Sequence, residues 1–509
     1  MRTKKTLLNM VSESIPLIVM GLLGFIKIRI FLDYLGDEFY GISQLFNQIF
    51  NYLNLAEAGF GTAIVYALYK PIVENNREAI NRILSGARLI FKRIGIAILI
   101  IGGILSFFMD YLIKDNSAVT YTQILFIIYL ITSTLNYFVF APRFMLQADQ
   151  NKYVINWVVN SIRIIQILTE IVLLMNGFDL TVIYISYLIF MIANNAIINK
   201  LAYKRYPWID IHKEEPDLST YSNTRHVLMH KIGNIIALNT DNIVLSVFIG
   251  SKMVAIYSSY NYVIQFIISI TTRVINASQE SFGNFFVLKD KKEGLNTYWE
   301  MNALLFFIGS VLFTVTYTSI LDFIRLYLHR ESYIVDNSTV LLFCIVFFIQ
   351  IIRGTYIVIV NGIGAFKETK WQALFEGIIN VVLSVILVVP FNINGVLLAT
   401  VISYLLTGFW FVPGYVFKNI FNKSVFFYYG NFFINIIILS VVLLITHEML
   451  PLVGLYQNNH NLFDWVVDST IFTSSVSIVY FIIYFILFKH FRQFVQRIIL
   501  MFHNRLRNI

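Results

Sequence analysis

Read by its polar and apolar positions, the chain is a succession of long apolar runs separated by short polar interruptions. Runs of about 20 residues, each able as a helix to cross a ~30 Å hydrocarbon layer, recur from one end to the other. Fourteen spans are predicted. The first seven lie near residues 12–35, 41–68, 94–113, 121–142, 154–175, 181–200 and 227–249. The other seven lie near 254–276, 300–324, 336–360, 372–390, 395–417, 427–447 and 469–488. The runs are continuously apolar rather than alternating, which excludes a β-barrel. Inside a bilayer such segments satisfy their backbone hydrogen bonds only as helices, so an all-α integral membrane fold is predicted.

The longest hydrophilic stretch, Lys200 to Lys231, falls near mid-chain and contains Lys213-Glu214-Glu215-Pro216-Asp217. It divides the chain into a six-helix bundle over 1–200, a cytoplasmic linker over 201–226 and a second six-helix bundle over 227–417. Two additional transmembrane helices over 418–488 and a basic tail over 489–509 complete it. The halves share a short echo. Lys27 precedes Gly36 by nine residues and Ile42 follows; Asp241 precedes Gly250 by nine and Ile256 follows. Both glycines fall in a turn between successive spans, as in parallel transporter repeats related about the membrane normal.

Composition agrees with lipid as the main solvent. The chain is 58% hydrophobic and 13% charged, about half the charge of a soluble domain. The net charge of +9 would suggest nucleic acid were it not for its distribution. With the N-terminus cytoplasmic, 29 of the 38 basic residues fall at the N-terminus, in loops on the same side and in the tail. Four (Lys114, Lys252, Arg325 and Arg330) fall opposite, and five lie inside spans. This asymmetry predicts that both termini are cytoplasmic and argues against a nucleic-acid partner. The basic start, Met1 to Lys5, leads into about 20 apolar residues with no small-residue cleavage site, so it reads as an uncleaved first span. The tail, Lys489 to Arg507, mixes basic and apolar residues at helical spacing. It is either a surface helix on anionic lipid or an ordinary basic stop after the last span. The single cysteine, Cys344, leaves no intramolecular disulfide to form.

Charges within spans are costly and mark either a partner or a water-filled cavity. Lys27, Arg29, Arg163 and Arg353 are the candidate substrate-binding cations. A guanidinium grips phosphate oxygens bidentately and Lys acts as a point charge, so such a cavity would suit an anionic headgroup such as a lipid pyrophosphate. Arg29 lies near a span end and can instead snorkel to the interface. Asp241, Glu170, Glu57, Arg273 and Glu376 are candidates for coupling or gating, with salt bridging as the alternative, for Asp241 with Lys27 in particular. Arg163 and Glu170, seven residues apart, share a helix face about 10 Å apart along the axis. No phosphate loop of the GxxxxGK[ST] type and no HExxH spacing occurs, and the longest outer loop covers only 448–468. No catalytic residue, metal or cofactor is therefore expected.

Certain stretches are more specific. Tyr34-Leu35-Gly36, Tyr40-Gly41-Ile42, the run Leu53-Asn54-Leu55-Ala56-Glu57-Ala58-Gly59-Phe60-Gly61 and Leu68-Tyr69-Lys70-Pro71 form one. Asp241-Asn242-Ile243, Ile249-Gly250, Ile256-Tyr257-Ser258 and the loop from Gly362 to Lys370 form another. Together they resemble the polysaccharide flippase family, which includes the O-unit flippases, within the multidrug/oligosaccharidyl-lipid/polysaccharide exporter superfamily. The resemblance implies twelve core helices in two pseudo-symmetric bundles, with two helices added. It implies translocation of an undecaprenyl-diphosphate-linked oligosaccharide, a polysaccharide repeat unit, from the inner to the outer leaflet of the bacterial cytoplasmic membrane. Alternating access coupled to a proton or sodium gradient is the implied mechanism. It also implies a cationic cavity, for which Lys27, Arg29, Arg163, Asp241 and Arg353 have suitable depth. Membrane lipids are the surrounding partners. Alternatives are a multidrug or small-molecule exporter on the same scaffold, a peptidoglycan-precursor flippase, and a membrane glycosyltransferase or polymerase. Five intramembrane bases against four acids favour an anionic cargo, and the short outer loops argue against an enzyme.

Overall fold

The computed structural model describes residues 2–54, 60–114, 119–139, 142–217, 240–287, 291–453, 455–456 and 461–507, and among them every regular element is helical. They form two compact units, Met1–Ser259 and Tyr260–Ile509. Eleven helices among the described residues are long and apolar enough to cross a membrane, so the chain is an all-α, multi-pass membrane protein. Three differences separate that number from the fourteen predicted spans. The helix α1 (Arg2–Leu53) carries the first two in one element. It breaks at Gly36, where φ 84° and ψ 178° suit a residue without Cβ. The fourth predicted span is cut short as a 16-residue helix. The seventh is described only from residue 240.

In the first unit, α1 is followed by α2 (Phe60–Val73) and α3 (Arg77–Ser106). Next come α4 (Val119–Thr134), which tightens into a 3-10 turn at Leu135–Phe138, and the short α5 (Arg143–Ala148). The spans α6 (Lys152–Met175) and α7 (Leu180–Arg205) follow, then α8 (Asp241–Phe248) and the start of α9 (Ser251–Val287). Asn76 caps α3 and Asp179 caps α7, each side chain accepting from a backbone N–H three residues on. α1 packs along α6, and α7 along α4 and α6. Gly41 explains part of the Tyr40-Gly41-Ile42 stretch, because a Cβ there would lie 2.0 Å from the Ser251 carbonyl oxygen.

The described part of the expected linker is docked on α3. The Asp210 N–H donates to Asn81 Oδ1 at 3.1 Å, the Asp217 N–H to the Arg82 carbonyl at 3.1 Å, and the Arg77 guanidinium covers the Trp208 ring. Residues 218–226 of that linker lie outside the described residues.

In the second unit, α10 (Lys291–Leu328) packs on α11 (Asn337–Ile363), whose apolar window is the most buried of the candidate spans at 67%. The helices α12 (Phe366–Phe391) and α13 (Ile393–Leu406) form a hairpin through Asn392, which has φ 50°. Gly395 permits its tightness: a Cβ would sit 2.2 Å from the Leu387 carbonyl oxygen. α13 ends at Leu406, the backbone breaks at Thr407, and α14 (Gly408–Tyr415) resumes before a π-helical turn at Val416–Ile420. The helices α15 (Phe426–Val453) and α16 (Leu462–Leu487) leave residues such as Leu444 and Ile486 exposed, as lipid-facing helices do. α17 (Lys489–Arg507) follows a turn at Phe488. Its Phe491 is buried against Phe307 and Tyr484, and Arg497 donates to Glu300 Oε1 at 2.9 Å.

Candidate functional site

One face of α6 carries Val159, Arg163 and Gln166 at helical spacing, and it lines a cavity of about 350 Å³ within the first unit. α1 contributes Phe50 to the wall, with Asn54 just beyond its end. Ser133 and Asn136 come from the end of α4 and its 3-10 turn, Arg143 from α5, and Phe190 and Asn194 from α7. Arg163 sits near the middle of the 24-residue α6, about 16–18 Å along the axis from either end. No carboxylate is among the described lining residues, and Arg163 forms no ion pair with a described residue. The amides are partly engaged. Tyr137 donates its hydroxyl to Asn54 Oδ1, and Asn195 donates to Asn136 Oδ1 at 2.7 Å. Asn194 Oδ1 is buried and accepts no hydrogen bond from a described residue.

Glu170 lies two turns beyond Arg163 and faces a different partner. Its carboxylate is 3.2 Å from Lys27 Nζ and accepts the Tyr187 hydroxyl at 2.5 Å. Glu170 is almost fully buried and Lys27 is 28% exposed, so the pair sits at the edge of the packed helices. Lys27 thus meets Glu170 rather than Asp241. Asp241, also buried, accepts the Tyr257 hydroxyl beside a Tyr52–Thr240 hydroxyl contact of 2.7 Å. Arg29 lies 3.9 Å from Asp33 one turn along its own helix, with both side chains well exposed. Such a pair contributes little. Glu57 lies outside the described residues.

In the second unit Arg353 and Glu376 form a closed polar cluster. Arg353 donates to Glu376 Oε1 at 2.6 Å, while Gln372 and Thr407 donate to Oε2 at 2.5 Å and 3.2 Å. The guanidinium also lies over the Tyr404 ring, 5.1 Å from its centre. The cluster sits at the break between α13 and α14, and Gly408 leaves room for it: a Cβ there would stand 2.7 Å from Glu376 Oε2. Arg273 is exposed on α9.

Of the candidate cations, Arg163 alone lines the cavity of the first unit; Lys27 and Arg353 each hold a buried carboxylate. Sequence reading placed Arg143 in a cytoplasmic loop and passed over the amides. The available signal was Asn136, Asn194 and Gln166 standing inside otherwise apolar runs.

This arrangement of helices is the fold seen in solved transporters of the MOP superfamily, the multidrug/oligosaccharidyl-lipid/polysaccharide exporters that the sequence resembles. Among solved structures, the chain is similar to the lipid II flippase MurJ in an inward closed conformation, with a TM-score of 0.70 and 16% identity over 93% of this chain and 98% of that one. It is also similar to an inward-facing multidrug resistance MATE family transporter, with a TM-score of 0.64 and 17% identity over 78% of this chain and 97% of that one. A MOP-superfamily transporter from Pyrococcus furiosus aligns with a TM-score of 0.55 and 15% identity over 78% of this chain and 92% of that one. No family profile and no curated relative matches the sequence. At these identities the likeness establishes the fold.

Proposed function

We propose that the chain is a flippase that carries an undecaprenyl-diphosphate-linked oligosaccharide from the inner to the outer leaflet of a bacterial cytoplasmic membrane. It is not an enzyme, and both termini are cytoplasmic. The observation that carries this reading is Arg163, a mid-helix guanidinium facing a polar cavity with no carboxylate among the described residues of its wall. A fixed cation at that depth requires a counter-charge or water, and an anionic cargo supplies one. The likeness to MurJ supports the reading, since that protein is named as a lipid II flippase and aligns over 93% of this chain. Lys27 and Arg353 act at one remove, neutralising buried Glu170 and Glu376. Glu170, Glu376 and Asp241 are the acidic groups through which a proton or sodium gradient would couple, with Arg273 and Glu57 as gating candidates.

A second reading, a multidrug exporter, draws on the MATE likeness, which leaves about a fifth of the chain unmatched. A cationic cavity disfavours the organic cations such an exporter would carry. The test is complementation of a deletion strain with wild type and Arg163→Gln, scoring surface polysaccharide on intact cells and protein in the membrane. Loss of polymer with protein retained and drug susceptibility unchanged is expected. Wild-type polymer in the variant would remove Arg163 from the pathway, and a drug-sensitive deletion strain with normal polymer would favour the exporter.

A further inference from the structure

We infer that α17 is an anchor for anionic lipid, its uncovered apolar residues seated among acyl chains at the membrane surface and its basic residues on headgroup phosphates. This role of the tail is independent of what the protein carries.

Residues 489–507 read in sequence either as a surface helix or as an ordinary basic stop after the last span. A stop needs only charge. The structure instead ends α16 at Phe488, where the backbone is extended (φ −108°, ψ 107°), and a separate helix of 19 residues follows. His490 stacks on Trp299 of α10. Arg497, about 10 Å further along the axis of α17, meets Glu300, the residue next to Trp299. α17 therefore lies across α10 instead of continuing α16. The crossing falls where the span predicted at 300–324 begins and the one at 469–488 ends, which is the level of the lipid headgroups.

Phe491, Val495, Ile498 and Ile499 share one face at helical spacing. The protein covers the start of that face and leaves its continuation open. Phe491 is buried among Phe307, Phe481 and Tyr484, whereas Ile498 and Ile499 are 37% and 61% exposed. Lys489, Arg492, Gln493 and Gln496 are exposed on the rest of the circumference. The segment carries five Lys and Arg and no Asp or Glu. Lys489 and Arg492 form no ion pair with a described residue, and buried Glu300 engages Arg497 alone. An open apolar strip flanked by unmatched cations, held at headgroup level, fits a negatively charged bilayer surface.

The experiment is hydrogen exchange over α17 in the full-length protein, in nanodiscs of phosphatidylcholine alone and of an equal mixture with phosphatidylglycerol. Exchange should slow by more than about 25-fold in the anionic discs, and Lys489→Gln with Arg492→Gln should remove about 25-fold of that gain, about fivefold per charge. Salt at about 1 M should abolish it, because the screening length falls to about 3 Å. Ile499→Asn should speed exchange in both kinds of disc. Unchanged exchange over α11 in each variant shows that the fold is intact. Equal exchange in the two lipids would overturn the lipid anchor, as would the full gain in the doubly neutralised variant or unaltered protection in Ile499→Asn. A gain that grows with the number of protein copies per disc would assign the open face to a second copy and overturn it too.

Discussion

The buried pair Arg353–Glu376 allows a quantitative test of how the second unit is held together. The two side chains are 12% and 3% exposed, and their contact is 2.6 Å. Replacing Glu376 with Gln keeps the shape but leaves the buried guanidinium of Arg353 without a counter-charge. Breaking a buried pair from one side costs about 3–5 kcal/mol, and Arg353→Met should cost a similar amount by stranding the carboxylate. The double change to Met at both positions removes both charges at once. Thr407 keeps a partner, because its hydroxyl also donates to the Ser403 carbonyl at 2.7 Å. Gln372 loses its acceptor, at about 1–3 kcal/mol. The double variant should therefore lie within about 2 kcal/mol of wild type, with a coupling of about 3 kcal/mol or more between the sites. Reversible unfolding in mixed detergent and dodecyl sulfate reads all four proteins. Single changes that each cost under about 1 kcal/mol, or a double cost equal to their sum, would show that the pair does not act as a buried ion pair.

Further expectations follow from single contacts. Gly41→Ala should cost at least about 1–3 kcal/mol by overpacking, since the new Cβ meets a backbone carbonyl that has no rotamer to change; fluorescence-detected size exclusion would show reduced folded protein. Arg497→Ala should release α17 from Glu300, seen as faster hydrogen exchange over residues 489–497. Burial, helped by the neighbouring Lys489 charge, lowers the His490 pKa from its ordinary 6.5. The neutral imidazole stacked on Trp299 therefore favours docking above that value. Protection of the tail should fall as pH drops from 7.5 to 5.5, and a His490→Phe variant should lose that dependence. Cys344 is fully buried and gives a silent background for labelling cysteines introduced at Lys423 and Arg330. Impermeant reagent on intact cells should reach position 330 and not 423; the opposite pattern would invert the proposed topology.

Much of the scaffold was legible because lipid imposes simple rules. A run of apolar residues of the right length has one way to satisfy its backbone, and Gly36 marks the break between the first two spans in sequence and structure alike. Elements shorter than a full crossing, such as α4 and the α13–α14 break, were less legible. Hydropathy averages over a window and does not register where a backbone stops being helical. The candidate charges were found by the same rule, as ionisable residues where none should be.

Sequence alone determined that this chain crosses the membrane many times, that its loops are charged asymmetrically, and which charged side chains lie within its spans. These are properties of composition and position along one dimension. Only the tertiary structure decided which of those charges meet. Lys27 and Glu170 are far apart in sequence, and Arg353 and Glu376 stand on different helices. Partners of this kind depend on which faces of separate helices pack together. For the same reason the cavity around Arg163 drew in Asn136, Asn194 and Gln166, whose neutrality hid them among apolar neighbours until packing set them on one wall.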